Sequence, residues 1–195
     1  MTAHSDTSRL RVGRTVVLVG LMGVGKSAVG RRLARRLDLP FIDADAEIEA
    51  AAGNSIEELF RQHGEAEFRA GERRVIARLL EGEPHVLATG GGAFMDPETR
   101  SQVRARGISI WLNADLDTLV ERVSRRSNRP LLKNGDARQT LSELMAIRNP
   151  VYAEADITVA SVDRPLGEMT VRVADALQDW IAAHPERALR PAPKR

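Results

Sequence analysis

A chain of 195 residues is slightly longer than one typical domain and too short for two, and 43% hydrophobic with 29% charged residues excludes a disordered chain. A formal charge of only +2, with aromatics at 4%, excludes the strongly basic, base-stacking profile of a nucleic-acid binder. There is no cysteine, and no apolar run approaches the roughly 18 residues of a membrane span, so disulfides, thiolate catalysis, Cys-ligated zinc and transmembrane helices are excluded and a cytoplasmic location is expected.

In chain order, residues 1–13 are polar and read as a loose tail ahead of a single domain over 14–184. Thr15–Val19 is a continuous β-branched apolar run, the pattern of a strand buried on both faces. Ser27–Leu37 carries Val29, Leu33 and Leu37 at helical spacing, with Arg31, Arg32, Arg35 and Arg36 turned outward. Pro40–Asp43 is a short second strand. Ser55 with Glu58 forms a capping box that opens a helix carrying Ile56, Leu59 and Phe60, and a longer helix is expected over Glu65–Leu80. Val86–Thr89, Ile108–Leu112 and the weaker Ile157–Val159 complete the strands; Leu116–Val123, Thr140–Arg148 and Leu166–Ile181 are helices. Strand–helix alternation of this kind predicts a mostly parallel sheet covered on both sides. Arg125–Asp136, rich in Arg, Ser, Asn, Pro and Gly, reads as a mobile loop, and 185–195 lacks periodicity and reads as a second loose tail.

Gly20-Leu21-Met22-Gly23-Val24-Gly25-Lys26-Ser27 fits G-x-x-x-x-G-K-[ST] at every fixed position, between a buried strand and an amphipathic helix. Glycines let the backbone curl until successive N–H groups face an anion, and the helix adds its positive end. Lys26 then reaches the β- and γ-phosphates and the Ser27 hydroxyl ligates Mg²⁺. The motif alone identifies binding of a nucleoside triphosphate. The basic excess in Arg122–Arg138 is read as local to this phosphate site.

Asp43-Ala44-Asp45 follows the second strand, at the sheet edge where ligands bind in doubly wound folds. Two readings stand side by side. On an extended segment residues two apart point the same way, so both acids could serve the Mg²⁺ ion and an attacking hydroxyl. Alternatively Asp43 is a helix N-cap and Asp45 a first-turn charge.

Six elements in order resemble the shikimate kinase family: Gly20–Ser27, Asp43-x-Asp45, Gly64-Glu65-x-x-Phe68-Arg69-x-x-Glu72, Thr89-Gly90-Gly91-Gly92, Arg129-Pro130-Leu131-Leu132 and Arg148-x-Pro150-x-Tyr152. They span roughly Thr15 to Pro165. The resemblance implies an α/β P-loop NTPase of nucleoside-monophosphate-kinase style, with a five-stranded parallel sheet, a lid over about 125–137, and a monomeric state. It implies ATP-dependent phosphorylation of shikimate to shikimate 3-phosphate, with Mg²⁺ as cofactor. Gly23, Val24, Gly25, Lys26, Ser27 and Ala28 would hold the nucleotide, joined by Arg129 on the lid and by Arg126 or Arg125 at adenine. Ser27 and Asp43, the latter through water, would position the metal. Asp45 would hydrogen-bond the hydroxyl that is phosphorylated, Arg69 and Arg148 would clamp the carboxylate, and Gly91 with Gly92 would offer main chain to the substrate. Lys26, Asp45 and Arg129 would be catalytic.

The residues carry part of this on their own. The glycine run after an apolar strand admits a ligand close to the main chain. Glu72 lies on the same helix face as Arg69 and can lock its guanidinium, whose planar fork suits a carboxylate. The departures are Ala28, where the family often has Ser or Thr, a short stretch before Arg129, and a loose match near Asp163-Arg164-Pro165. Other readings are a gluconate kinase of the same architecture and a regulatory nucleotide-binding module without turnover. His4, His63, His85 and His184 show no ligand spacing and are read as ordinary surface or helix residues.

Overall fold

The computed structural model describes residues 12–125, 136–162 and 164–189. Five parallel strands form one sheet in the order β2-β3-β1-β4-β5. They are β1 (Thr15–Val19), β2 (Phe41–Asp43), β3 (Val86–Ala88), β4 (Gly107–Asn113) and β5 (Ile157–Ala160). The helices are α1 (Lys26–Leu37), α2 (Ala44–Ala52), α3 (Ile56–Glu81), α4 (Pro97–Arg106), α5 (Leu116–Ser124), α6 (Ala137–Tyr152), α7 (Leu166–Ala183) and the one-turn α8 (Pro185–Ala188).

Every residue of β1 and β3 is buried, which an apolar strand achieves only when both faces are covered. Val16 through Val19 are fully enclosed, and each such side chain contributes about 1.5–3 kcal/mol on leaving water. β5, at one edge, alternates buried and exposed residues, which is why its apolar signal is weak in the sequence.

The order of the strands sets the site. From β1 the chain crosses to β2 on one side, and from β3 it crosses to β4 on the other, while β1 and β3 are hydrogen-bonded neighbours. The loops that leave their carboxyl ends, starting at Gly20 and at Thr89, therefore diverge and open a crevice between them, the switch point where doubly wound sheets bind ligands.

Most expected elements lie where the pattern places them. The two helices expected over Ser55–Leu80 form a single element broken at Gly64, whose φ of 77° and ψ of 173° leave the helical region. Three further helices are present among the described residues: α2 was foreseen only in the N-cap reading of Asp43, and α4 and α8 were not expected. α2 has a weak amphipathic pattern and α4 is strongly polar, so neither shows a clear apolar stripe. The third, α8, starts the segment read as a loose tail. There Arg187 pairs with Asp156 at 3.3 Å and lies over Trp180, and the Leu189 carbonyl accepts from Arg14 at 2.7 Å.

Candidate active site

The turn after β1 leads directly into α1. The helix is preceded by Gly25 at φ 102°, and no side chain caps it, so its first N–H groups remain available to an anion. Glycine is required at position 23, where φ is 82° and an added Cβ would sit 2.7 Å from Val123. Lys26 folds back over the loop, donating to the carbonyls of Gly20 at 2.7 Å and Leu21 at 2.9 Å. The loop's shape is held from outside as well, since the Val24 carbonyl accepts from Ser161 Oγ at 3.1 Å and from Arg122 at 3.3 Å.

Ser27 Oγ donates to Asp43 Oδ2 at 2.8 Å, so the hydroxyl and carboxylate expected at the metal already face one another. Both supply hard oxygen donors, which suit Mg²⁺ completed by phosphate oxygens and water. Among the described residues there is no group of three or more His, Cys, Asp or Glu that could hold a metal ion.

The extended-segment reading of the acid pair needs correction. Asp43 is the N-cap of α2, its Oδ1 accepting from the Asp45 N–H at 3.2 Å, and Asp45 stands in the first turn of the helix. Both acids still line the crevice, a cavity of about 140 Å³ that they share with Gly23, Gly25, Lys26, Ser27, Ala28 and Thr89–Gly91. Burial, then the neighbouring Asp43, raises the Asp45 pKa, with Lys26 opposing.

Across the crevice the glycine run carries the other candidates on its back. A Cβ on Gly90 would lie 2.7 Å from Asp45 Oδ1 and 3.1 Å from Glu72 Oε1. On Gly92 it would lie 2.5 Å from Arg69 Nη2, and on Gly91 3.4 Å from Arg148 Nη1. Main chain without side chains thus lets two acids and two arginines approach a single loop. Arg69 Nη1 donates to Glu72 at 2.6 Å, and the guanidinium lies 5.2 Å and 5.7 Å from the rings of Phe68 and Phe60. Those rings stack on each other at 4.3 Å. Glu72 is 3% exposed, and burial raises its pKa against the pull of Arg69. Arg148 Nη1 donates to the Gly91 carbonyl at 3.1 Å.

Arg126 and Arg129, with Pro130 and most of the expected lid, lie outside the described residues. Arg125, the other candidate for adenine, is turned to the surface and pairs with Glu121. Arg122 was not singled out by the sequence. It donates to Val24, to Ser161 Oγ at 2.9 Å and to the Val162 carbonyl at 2.9 Å, tying the phosphate loop to the chain after β5. Its only sequence signal is a basic residue in the last turn of α5, shared by many arginines here. His85 also departs from expectation. It is 2% exposed, and its Nδ1 bonds the Glu83 carbonyl at 2.8 Å, while His63 and His184 are exposed as expected and His4 is outside the described residues. A larger cavity of about 400 Å³ between α2 and α3 is walled mainly by apolar side chains such as Ile48, Leu59 and Val75, and it shares with the site the Phe68 side chain that flanks Arg69.

Comparison with known proteins fits this geometry. The family model for shikimate kinase matches residues 22–178. The chain is 59% identical over 171 residues to the shikimate kinase of Paramagnetospirillum magneticum, covering 88% of each. It is 54% identical over 178 residues to that of Bradyrhizobium diazoefficiens, covering 91% of this chain and 85% of the relative. Among solved structures, shikimate kinase from Acinetobacter baumannii in complex with shikimate superposes with a TM-score of 0.82 at 34% identity, covering 87% and 96%. A gluconokinase from Sinorhizobium meliloti shares the fold alone, at a TM-score of 0.62 and 20% identity. Sequence, sheet order and site geometry thus meet in one conclusion: the chain belongs to the shikimate kinase family, whose members transfer a phosphoryl group from ATP to shikimate in aromatic amino acid biosynthesis.

Proposed function

We propose that the residues around the β1–β3 crevice divide the phosphorylation of shikimate between a nucleotide side and an acid side. The observation that carries this is the convergence of Asp45, Arg69 and Arg148 on Gly90–Gly92, directly across from the phosphate loop.

On the nucleotide side, the N–H groups of Gly23, Val24, Gly25 and the first turn of α1 cradle the phosphates of ATP, including the backbone N–H of Ala28. Lys26 exchanges its two carbonyl partners for phosphate oxygens and places a positive charge where the transferring group gathers negative charge. Ser27 and Asp43 hold Mg²⁺, Asp43 through water; when bound, the ion neutralises charge on the phosphates. Arg126 and Arg129 are assigned to adenine and to the phosphates respectively, from the family resemblance.

On the acid side, Arg69 and Arg148 take the shikimate carboxylate. Each guanidinium can present parallel N–H donors, and Glu72 with the Phe60–Phe68 stack holds Arg69 in one orientation before substrate arrives. Gly91 and Gly92 give the substrate main chain to lie against. Asp45 accepts a hydrogen bond from the hydroxyl that attacks. Its raised pKa makes its carboxylate a better proton acceptor than an exposed one. Catalysis is then mostly alignment and charge stabilisation, with little covalent work for the protein. The protein acts as a monomer in the cytoplasm, and no helix among the described residues is long and apolar enough to cross a membrane.

The test is coupled detection of ADP release with ATP, Mg²⁺ and a panel of hydroxy acids. Shikimate-dependent turnover with little response to gluconate is the expected result. Gluconate turnover at a comparable kcat/KM would overturn the assignment of the acid side, and no release with any acid would indicate a module without turnover.

A further inference from the structure

The Gly91 carbonyl receives two hydrogen bonds, and only one donor has a role so far. Arg148 Nη1 donates at 3.1 Å, and the Tyr152 hydroxyl donates to the same oxygen. The two donors stand four residues apart on α6, so they share one helix face. Tyr152 is 0% exposed, and its ring packs 6.0 Å from that of Trp111. A buried aromatic that needed only to fill space could dispense with the hydroxyl; this one points its single polar atom at the substrate loop. Burial pushes its pKa up to about 12, so it donates throughout the working pH range.

Before substrate arrives, Arg148 is engaged with Gly91. When the carboxylate recruits that guanidinium, the half-buried carbonyl stands to lose a donor, and an unmade bond at such a group opposes binding. A second donor that does not move removes that opposition. It also fixes the peptide plane, and hence the direction in which the loop's N–H groups point.

We propose that Tyr152 is a positioning residue for the acid substrate, holding the Gly91 carbonyl so that Arg148 can turn to the carboxylate without the glycine loop losing its orientation. This rests on the reading that Gly91 and Arg148 serve the acid. Tyr152→Phe keeps the ring and removes one neutral hydrogen bond, so the KM for shikimate should rise between about 3-fold and about 10-fold. The kcat and the KM for ATP should stay within about twofold, a split that a purely structural residue would not produce. Arg148→Lys is assayed in parallel. If it leaves the shikimate KM unchanged, the acid-side reading itself fails. Should Arg148→Lys raise that KM while Tyr152→Phe does not, the positioning role alone is overturned.

The chain contains a single tyrosine, which supplies a second readout where the Phe variant loses its fold. Wild-type protein grown with 3-fluorotyrosine carries one fluorine resonance, reporting on Tyr152 only. That resonance should move on adding shikimate. A resonance that ignores shikimate would overturn the proposal.

Discussion

Gly92→Ala isolates the acid clamp from the fold. Gly92 has φ −97° and ψ −16°, values any residue adopts, so alanine brings no backbone strain. Its methyl group would, however, lie 2.5 Å from Arg69 Nη2 and 2.6 Å from Cζ and Nη1, where ordinary contact begins near 3.4 Å. The guanidinium must retreat by about 0.9 Å, and it is not free to do so. Glu72 grips it at 2.6 Å and the two phenylalanine rings flank it, so the shift breaks either the ion pair or the aim of the fork. Hydrogen bonds to charged groups contribute about 1.5–3 kcal/mol each, and a misplacement on the order of 1 Å in a binding group lowers rates about 10²-fold. The kcat/KM for shikimate should therefore fall by about 10-fold to about 150-fold. The KM for ATP should change by less than about twofold, because the phosphate loop lies on the other wall. The assay is initial ADP release with shikimate varied at saturating ATP, then the reverse. A shikimate kcat/KM within about twofold of wild type in a folded protein would refute the assignment of Arg69 to the carboxylate.

Lys26→Ala should lower kcat by about 10²-fold or more, the usual loss when a preorganised charge contact is removed; near-normal turnover in the coupled assay would remove the phosphate-loop reading. Arg129→Ala should lower kcat strongly while equilibrium titrations show both dissociation constants within a few-fold, and weakened binding with an unchanged kcat would make it a plain binding contact. For His85, burial lowers the pKa from 6.5, so the folded state favours the neutral ring and the unfolded chain binds more protons in the window between the two values. Its contribution is fully present above pH 6.5 and is lost as pH falls toward the depressed value; the midpoint of thermal unfolding should drop there, and less so in His85→Asn. The His85 ring explains why: Nδ1 is engaged with the Glu83 carbonyl while Nε2 is buried with no partner among the described residues, so the added proton would go where none of them offers an acceptor.

Local signals carried what depends on a few neighbouring residues. Thr15–Val19 announces a doubly buried strand because β-branched apolar residues without alternation suit nothing else of that length. The phosphate loop is legible because its chemistry needs backbone curvature and a lysine at fixed spacing, and those constraints sit within eight residues. Ser55 and Glu58 gave the start of α3, where the Ser55 side chain accepts from the Glu58 N–H at 3.2 Å. The acid pair was legible as a candidate site, although it was the N-cap alternative that described its backbone correctly.

What depends on residues far apart in the chain came only with the tertiary structure. The strand order β2-β3-β1-β4-β5 is set by how helices pack over the sheet, and it alone brings Gly20–Ser27 beside Gly90–Gly92. Arg122 looks like any of its neighbours until the chain after β5 folds across to meet it, joining it to Ser161 and Val162 about forty residues away. His85 reads as a surface residue because burial of a ring depends on Thr15 and the enclosing sheet, not on its own neighbours in sequence. Tyr152 is one residue of a motif until α6 docks and sets its hydroxyl on the Gly91 carbonyl, 61 positions earlier in the chain. Periodicity, capping and turn chemistry are properties of a short segment, so the sequence by itself determined those. Partnership between distant polar groups is decided by packing, because only the folded chain excludes the water that would otherwise satisfy them.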